Sequence, residues 1–249
     1  MPMLIKQAIR SILGRLGLQV QRIRPPHAYA VRAIPDGDLY RPLFSPWLGK
    51  GEFRTYYDLA EPRTIVSPDR CYVIYTLLRQ AISISGDVWE CGVYKGGTAA
   101  MMAAVLNDTH SSKRLYLFDT FEGMPETNAE KDWNKKGDFS DTSVETVIDY
   151  VGHDNLCVVR KGIIPETFAG LESAKIALAH IDVDIYKSVL DCLHFIWPRL
   201  STGGFIVFDD YGFPTCHGAR VAVDEFFRSE TCVPLCLPTG QAVVFKAVA

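Results

Sequence analysis

Short apolar runs alternate with amphipathic stretches along most of this chain, from residue 68 to residue 227. The apolar runs have the length of buried strands, and the stretches between them carry apolar residues at helical spacing. Alternation of this kind predicts an α/β fold with a mostly parallel sheet that is covered by helices on both faces. Ligands of such sheets bind outside the carboxyl ends of the strands, so the residues that follow each run are the functional candidates.

The chain divides into an irregular N-terminal part and a regular remainder. Residues 25–66 are rich in Pro, Tyr and Arg, with weak periodicity, and are predicted to be an irregular cover over an active site. We therefore predict an N-terminal segment, 1–66, and a catalytic domain, 67–249. The predicted helices are 68–84, 97–106, 143–150, 188–200 and 219–227. The predicted strands are 88–93, 114–119, 156–160, 176–182 and 204–210, followed by a hairpin of 233–237 and 241–247.

Composition narrows the class of protein. The 249 residues are 48% hydrophobic, enough for one large core, and a net charge of −3 gives no indication of nucleic-acid binding. No apolar stretch reaches the ~18 residues that a membrane-spanning helix needs, so none is expected. The seven cysteines are scattered, which favours reduced thiols, several of them buried, in a cytoplasmic protein.

The first 24 residues form a separate element in sequence. They carry five basic residues and no acid, and apolar residues recur at helical spacing between Leu4 and Leu16. We predict a short amphipathic helix. Packing on a partner subunit would favour a homo-oligomer, most simply a dimer, whereas the basic residues would also suit contact with an anionic membrane surface.

Four aspartates follow two of the apolar runs. Asp182 and Asp184 lie in Ala-His-Ile-Asp-Val-Asp-Ile-Tyr, and Asp209 and Asp210 lie in Phe-Ile-Val-Phe-Asp-Asp-Tyr. If the two strands are neighbours, the carboxylates converge, so that one must take up a proton or a cation must bind. Oxygen ligands suit a hard divalent cation. Adjacent aspartates can share a metal only if both strands end at or just before their first aspartate, and we predict that they do.

A glycine-rich turn follows the first predicted strand, in Glu90-Cys-Gly92-Val-Tyr-Lys-Gly96-Gly97-Thr98. Such a turn lets a ligand approach the backbone at a helix N-terminus. Tyr94 stands where a dinucleotide fingerprint requires glycine, which disfavours a dehydrogenase. An acid inside the strand, Glu90, would suit the amino group of S-adenosylmethionine. The next strand ends in Asp119, close to the offset at which a carboxylate holds the ribose of an adenosine cofactor.

Five ordered segments between residues 64 and 227 together resemble the macrocin O-methyltransferase (TylF/MycF-like) family, whose members methylate sugar hydroxyls with S-adenosylmethionine and magnesium. They are Gly86-Asp-Val-Trp-Glu-Cys-Gly-Val-Tyr-Lys-Gly-Gly-Thr98, Phe118-Asp-Thr-Phe-Glu-Gly-Met-Pro125, Gly137-Asp-Phe-Ser140, His180-Ile-Asp-Val-Asp-Ile-Tyr186 and Phe208-Asp-Asp-Tyr211. The resemblance implies a Rossmann-like class I methyltransferase fold, in which a seven-stranded, mostly parallel sheet ends in an antiparallel hairpin.

The resemblance also implies roles for individual residues. Asp182, Asp209 and Asp210 would bind Mg²⁺, and Asp184 would be the general base. The residues assigned to S-adenosylmethionine are Glu90, Gly92, Val93, Tyr94, Gly96 and Thr98 in the glycine-rich turn, Asp119 at the ribose, and Gly162 and Ile163 beside the adenine. His180 is interpreted as a core histidine, and Tyr186, Tyr211 and His217 are candidates for contact with the acceptor.

Two other functions stay open on the sequence alone. A glycosyltransferase could use the Asp-x-Asp pair to hold a metal and a sugar nucleotide, and it would bind a nucleoside diphosphate. A non-catalytic protein could keep the cofactor fold and bind S-adenosylmethionine without turnover. The acceptor, whether a sugar or a phenolic hydroxyl, cannot be read from the sequence, because it depends on loops.

Overall fold

The computed structural model describes residues 45–247. Its helices are α1 (Glu52–Ala60), α2 (Pro68–Ala81), α3 (Gly97–Asp108), α4 (Val144–Val151), α5 (Tyr186–Arg199) and α6 (His217–Phe227). Its strands are β1 (Asp87–Cys91), β2 (Leu115–Asp119), β3 (Cys157–Lys161), β4 (Ile176–Ile181), β5 (Leu200–Phe208), β6 (Leu235–Cys236) and β7 (Ala242–Phe245). The predicted N-terminal amphipathic helix lies outside the described residues, so that helix, its partners and the dimer stay predictions.

Seven strands form one sheet in the order β3-β2-β1-β4-β5-β7-β6. The five strands from β3 to β5 in this order are parallel, and the last pairings are antiparallel, which confirms the predicted sheet and its C-terminal hairpin. The chain moves outward from β1 to β3 and then returns to place β4 on the other side of β1. The adjacent carboxyl ends of β1 and β4 are therefore a topological switch point, where ligands bind in this fold class.

Side chains alternate between the two faces of the sheet, so each strand contributes to two cores. In β1, Val88 packs into one core, whereas Trp89 and Cys91 pack into the other. The same alternation holds in β5, where Phe205 and Val207 pack into the first core and Ile206 and Phe208 pack into the second. Burial on both faces explains why the strands are continuously apolar instead of alternating with polar residues.

One part of the segment expected to be irregular is helical. Helix α1 places Phe53, Tyr56, Tyr57 and Ala60 on one buried face, in the same core as α2 and α3. These four residues follow the i, i+3, i+4, i+7 spacing of an amphipathic helix. The helix therefore corrects the prediction of irregular structure for residues 52–60.

The remaining global features agree with the sequence. All seven cysteines lie in the described part of the chain as free thiols, and Cys71, Cys91, Cys192 and Cys216 are buried. No helix within residues 45–247 is both long and apolar enough to cross a membrane.

Candidate active site

A cleft of about 980 Å³ opens at the carboxyl edge of the sheet, over the switch point between β1 and β4. Gly92, Val93, Tyr94, Thr98 and Asp119 line it on the side of the glycine-rich turn. Asp182, Asp184 and Asp210 line it at the ends of β4 and β5. The two groups of residues that the sequence singled out therefore meet in one cleft.

Asp119 shapes the glycine-rich turn. Its Oδ2 accepts hydrogen bonds from the backbone N–H groups of Val93 at 2.7 Å and Tyr94 at 2.9 Å. Its Oδ1 accepts from the N–H of Phe121 at 2.7 Å. Tyr94 has a φ of 50°, a left-handed conformation that a non-glycine residue adopts only when its surroundings hold it. The carboxylate at the end of β2 thus supplies the hydrogen bonds that fix this turn.

Two residues assigned to the cofactor lie behind the cleft surface. Glu90 is fully buried, and its Oε1 accepts from Thr98 Oγ1 at 2.6 Å and lies 3.1 Å from His180 Nδ1. Its Oε2 is buried without a hydrogen-bond partner among the described residues. Gly96 is the N-cap of α3, with a φ of 82°, and is not among the lining residues. Glu90 therefore reaches the cleft through Thr98.

Of the two residues predicted beside the adenine, one lines the cleft and the other does not. Gly162 lines the cleft, as expected, but the side chain of Ile163 points away and is 51% exposed. Ile164, which is buried, lines the cleft in its place. Beyond the end of β3, side chains no longer alternate regularly between the two faces of the sheet. The sequence therefore did not indicate whether Ile163 or Ile164 faces the cleft.

Strands β4 and β5 are parallel neighbours, and they end at Ile181 and Phe208, directly before Asp182 and Asp209. This confirms the prediction on which a shared metal site depends. The four carboxylates nevertheless separate into two groups. Oxygens of Asp182 and Asp209 cluster with His180 within 4.8 Å, and oxygens of Asp184 and Asp210 cluster with Cys216 within the same distance. The predicted ligands Asp182, Asp209 and Asp210 do not form a single group of this kind among the described residues.

Asp209 is fully buried beneath the cleft and is held by three side chains. Its Oδ2 forms an ion pair with Arg70 of α2, and its Oδ1 accepts from Gln241 Nε2 at 2.8 Å. His180 Nε2 lies 3.4 Å from the same Oδ1, and its Nδ1 faces Glu90. His180 is thus a buried core histidine whose two ring nitrogens both have partners, as its sequence context indicated.

Asp184 has a left-handed backbone conformation and is held by hydrogen bonds to two neighbouring residues. Its φ of 56° is left-handed, and its N–H donates to Asp210 Oδ2 at 2.9 Å. Its Oδ1 accepts from the thiol of Cys216 at 3.2 Å. Asp184 therefore presents its carboxylate to the cleft in a fixed orientation.

Burial and mutual repulsion perturb the pKa of each group in this cluster. Burial, followed by the charges of neighbouring aspartates, raises the pKa of Asp182 and of Asp210 well above the ordinary value. Burial also raises the pKa of Asp184. For Asp209, burial is outweighed by His180 and Arg70, which lower its pKa. For His180, burial opposes the charge, but the hydrogen bonds to Asp209 and Glu90 raise its pKa well above the ordinary value. Burial and neighbouring negative charge thus oppose the ionisation of Asp182 and Asp210.

These shifts predict how stability depends on pH. Asp182 and Asp210 bind protons more tightly in the folded protein than their ordinary value of 3.8 allows. Their contribution to stability is therefore complete below pH 3.8 and is lost as the pH rises through their folded pKa values, by up to about 1.4 kcal/mol per pH unit for each proton. As the pH rises from 4, we expect the free energy of unfolding to fall less for Asp210→Asn than for the wild type. Both are measured by urea unfolding with chelator present. Equal pH dependence in the two proteins would contradict this assignment.

Three residues of this site were missed by the sequence analysis. Arg70, Gln241 and Cys216 come from α2, the loop before β7 and the turn before α6, respectively. No sequence motif surrounds any of these residues, and the sequence around a buried aspartate does not indicate which distant residue will pair with it.

A second cleft of about 870 Å³ lies beside the aspartates, between residues 129–133 and residues 212–220. Phe213 and His217 line it, together with Trp133, whose side chain is 73% exposed. His217 thus lines the second cleft and is not among the residues that line the first. The hydroxyls of Tyr186 and Tyr211 instead donate to Glu225 at 2.6 Å and to Asp224 at 2.8 Å.

Residues 69–237 match the sequence profile of the macrocin-O-methyltransferase (TylF) family. The chain belongs to this family. Two curated members align with it over part of their length. One is the 8-demethyl-8-(2,3-dimethoxy-alpha-L-rhamnosyl)-tetracenomycin-C 4'-O-methyltransferase of Streptomyces olivaceus, 31% identical over 170 residues, which are 59% of this chain and 60% of the relative. The other is the mycinamicin III 3''-O-methyltransferase of Micromonospora griseorubida, 29% identical over 157 residues, 57% of this chain and 61% of the relative. The matched region thus spans about three-fifths of each relative's length.

Solved structures place this TylF-family chain in the class I methyltransferase fold. The structure of the O-methyltransferase NovP superposes with a TM-score of 0.67 at 21% identity, covering 75% of this chain and 83% of that one. A calicheamicin methyltransferase superposes with a TM-score of 0.62 at 20% identity, covering 78% and 90%. The fold that the sequence predicted is therefore confirmed.

Proposed function

We propose that this protein transfers a methyl group from S-adenosylmethionine to a hydroxyl of a sugar or a sugar-containing molecule, in a magnesium-dependent reaction. The observation that carries the proposal is the single cleft in which the glycine-rich turn and the aspartates at the ends of β4 and β5 meet. The related methyltransferases whose names specify a sugar or its aglycone support the choice of acceptor.

The turn after β1 fits S-adenosylmethionine better than a dinucleotide. Glu90 Oε2 is a buried carboxylate oxygen that lacks a donor, and Thr98, which is bonded to the same carboxylate, lines the cleft. A cationic amino group suits this acid, whereas a pyrophosphate would be repelled by it. Asp119 lines the cleft with room for the ribose hydroxyls, and Gly162 and Ile164 would flank the adenine.

The carboxylates fit a divalent cation. Asp182 and Asp210 line the cleft, and their raised pKa values arise from burial and from neighbouring negative charge, which a cation would relieve. Asp182, Asp209 and Asp210 would hold the ion, with Asp209 reaching it from below the surface. A bound Mg²⁺ would supply Lewis acidity that lowers the pKa of an acceptor hydroxyl.

Asp184 is the proposed general base. Its raised pKa makes it a stronger proton acceptor than an exposed aspartate, while the Cys216 thiol and the Asp210 contact fix its position. It would take the proton of the acceptor hydroxyl as the oxygen attacks the sulfonium methyl in line. The cleft aligns the two reactants, which is the other large contribution that a methyltransferase makes.

The second cleft is the proposed acceptor side of the site. It adjoins the base, because Cys216 contacts Asp184 and lies between Pro214 and His217, which line that cleft. The exposed indole of Trp133 offers an apolar face for a sugar ring or an aromatic aglycone. Recognition by a largely exposed aromatic side chain suits an acceptor larger than a monosaccharide.

Cofactor binding separates this proposal from its rivals. We expect S-adenosylmethionine and its demethylated product to bind in isothermal titration. Tight binding of a nucleoside diphosphate without S-adenosylmethionine would favour the glycosyltransferase instead. Binding without methyl transfer to any member of a panel of glycosides, nucleotide sugars and phenols would favour the non-catalytic protein.

Magnesium dependence has its own test. With an acceptor identified from that panel, EDTA is expected to lower turnover at least about a hundredfold, and added Mg²⁺ to restore it. Unchanged turnover in EDTA would remove the metal from the mechanism while leaving the methyltransferase proposal intact.

A further inference from the structure

The aspartate cluster already contains one strong positive charge, the guanidinium of Arg70. We propose that Arg70 is an internal counter-ion that competes with the divalent cation for Asp209 and thereby sets the affinity of the metal site. The inference rests on the proposed cation site and concerns a residue to which neither the family match nor the predicted ligand set assigns a role.

The Arg70 side chain is held in position by contacts in addition to its ion pair with Asp209. Its Nε donates to Ser67 Oγ at 3.1 Å, and one terminal nitrogen donates to the Ile65 carbonyl at 3.0 Å. The guanidinium carbon lies 4.8 Å from the centroid of the Phe213 ring. Its side chain is 12% exposed, so solvent screens its charge far less than that of a surface arginine.

Asp209 divides its two oxygens between different partners. Gln241 and His180 contact Oδ1, whereas Arg70 is the partner of Oδ2 within residues 45–247. The carboxylate can therefore keep its orientation through Oδ1 while Oδ2 changes partners. Oδ2 is the exchangeable oxygen of this residue.

Arg70 and a divalent cation would need the same space. Arg70 lines the same cleft as Asp182, and ligand oxygens of Asp182 and Asp209 lie within 4.8 Å of each other. A cation bridging these two carboxylates would lie beside Asp209, where the Arg70 guanidinium sits. Two neighbouring positive groups repel in a poorly screened site, so we expect binding of the ion to weaken the pair between the guanidinium and Oδ2.

The competition has a functional consequence. Without the guanidinium, the four carboxylates would rely on His180 for compensating charge, would bind divalent ions more tightly and would destabilise the fold more when no ion is present. A built-in arginine relieves the repulsion and makes the ion exchangeable. The site would then respond to the free Mg²⁺ concentration instead of holding one ion permanently.

The test measures Mg²⁺ binding directly by isothermal titration, without an acceptor. Arg70→Gln is expected to bind Mg²⁺ about tenfold more tightly than the wild type, because the ion no longer displaces a cation. Arg63→Gln is the matched control: Arg63 lines the same cleft, but its guanidinium contacts the Thr146 carbonyl and the Tyr150 ring. Its affinity for Mg²⁺ is expected to stay within twofold of the wild type.

Each outcome decides between defined alternatives. Equal or weaker Mg²⁺ binding by Arg70→Gln, with wild-type binding intact, would overturn the competition and leave the proposed function standing. No Mg²⁺ binding by either protein would overturn the cation site itself. Equal tightening in Arg63→Gln would show a general charge effect of the cleft and would also overturn the proposal.

A second measurement follows the guanidinium in the wild-type protein and uses variants only to assign its resonance. In wild-type protein with ¹⁵N-labelled arginine, the Arg70 Nε–H resonance is expected to shift on addition of Mg²⁺, while that of Arg63 stays in place. The two resonances are assigned by their loss in Arg70→Lys and Arg63→Lys. An Arg70 resonance that is unchanged at saturating Mg²⁺ would show that the guanidinium does not yield Asp209.

Discussion

Replacement of Asp184 by asparagine is expected to lower the rate of methyl transfer by about a thousandfold, within the range that a general base contributes. Asparagine has the same shape and keeps the hydrogen-bonding geometry near Cys216 and Asp210, but it cannot take up the proton of the acceptor hydroxyl. The affinity for S-adenosylmethionine should stay within about twofold, because the residues that would hold this ligand lie on the other side of the cleft.

The measurement combines single-turnover methyl transfer with isothermal titration of S-adenosylmethionine. Asp149→Asn serves as the control, because Asp149 is exposed on α4. This substitution removes the same negative charge at a position away from the cleft. Full activity of Asp184→Asn would exclude it as the base. A parallel loss of cofactor affinity would show that the residue supports the fold of the cleft instead of moving a proton.

Gly92→Ala is expected to destabilise the protein by about 4 kcal/mol or more and to abolish S-adenosylmethionine binding. Gly92 has a φ of 87°, and a Cβ at this position would lie 1.8 Å from the carbonyl oxygen of Asp182. That oxygen belongs to the backbone at the switch point, where the N–H of Asp182 donates to the Cys91 carbonyl at 2.8 Å. Relief of the overlap therefore requires β1 and β4 to separate at the point where the cleft begins.

The chain offers a control that isolates the steric part of this effect. Gly137 has a φ of 88°, almost the same as Gly92, but a Cβ there meets no atom within 4 Å. Gly137→Ala is therefore expected to cost only the backbone strain, about 1 kcal/mol. Urea unfolding of the two variants should differ by several kcal/mol, and similar values would show that the approach of β1 to β4 is not rigid.

The elements of the sheet could be predicted because their signals are local. Apolar runs separated by amphipathic stretches determine strands and helices. The prediction that β4 and β5 end at or just before their first aspartate was confirmed, although the predicted ranges 176–182 and 204–210 extend one and two residues beyond the observed ends. The start of β5 was missed. Leu200 was predicted as the end of a helix and residues 201–203 were left unassigned, but all four belong to the strand, which has an irregularity in its pairing with β4.

Helix α1 shows a different kind of error. Its apolar face consists largely of tyrosine and phenylalanine, and the surrounding prolines and charges favoured an irregular interpretation. The helical spacing of residues 53, 56, 57 and 60 was present in the sequence and would have identified the helix. Here the signal was available but outweighed by composition.

The pairing of Glu90 with His180 lies between these cases. The two residues are direct partners in the register of β1 and β4, and both side chains belong to the face of the sheet that packs on α3. Parity predicts the face of each residue, but only the order of strands brings β4 beside β1. A motif of either strand alone therefore does not reveal a buried acid–histidine pair.

The sequence by itself determined the strand–helix order, the family, the glycine-rich turn and the position of four aspartates at one edge of the sheet. These features depend on neighbours in sequence, where side-chain periodicity and backbone conformation act. Only the tertiary structure decided that Asp209 lies beneath the cleft, paired with Arg70 and Gln241, while Asp182, Asp184 and Asp210 face it. The physical reason is that a buried charge must be neutralised by whichever distant group the fold brings near, and here α2 and the loop before β7 supply those groups.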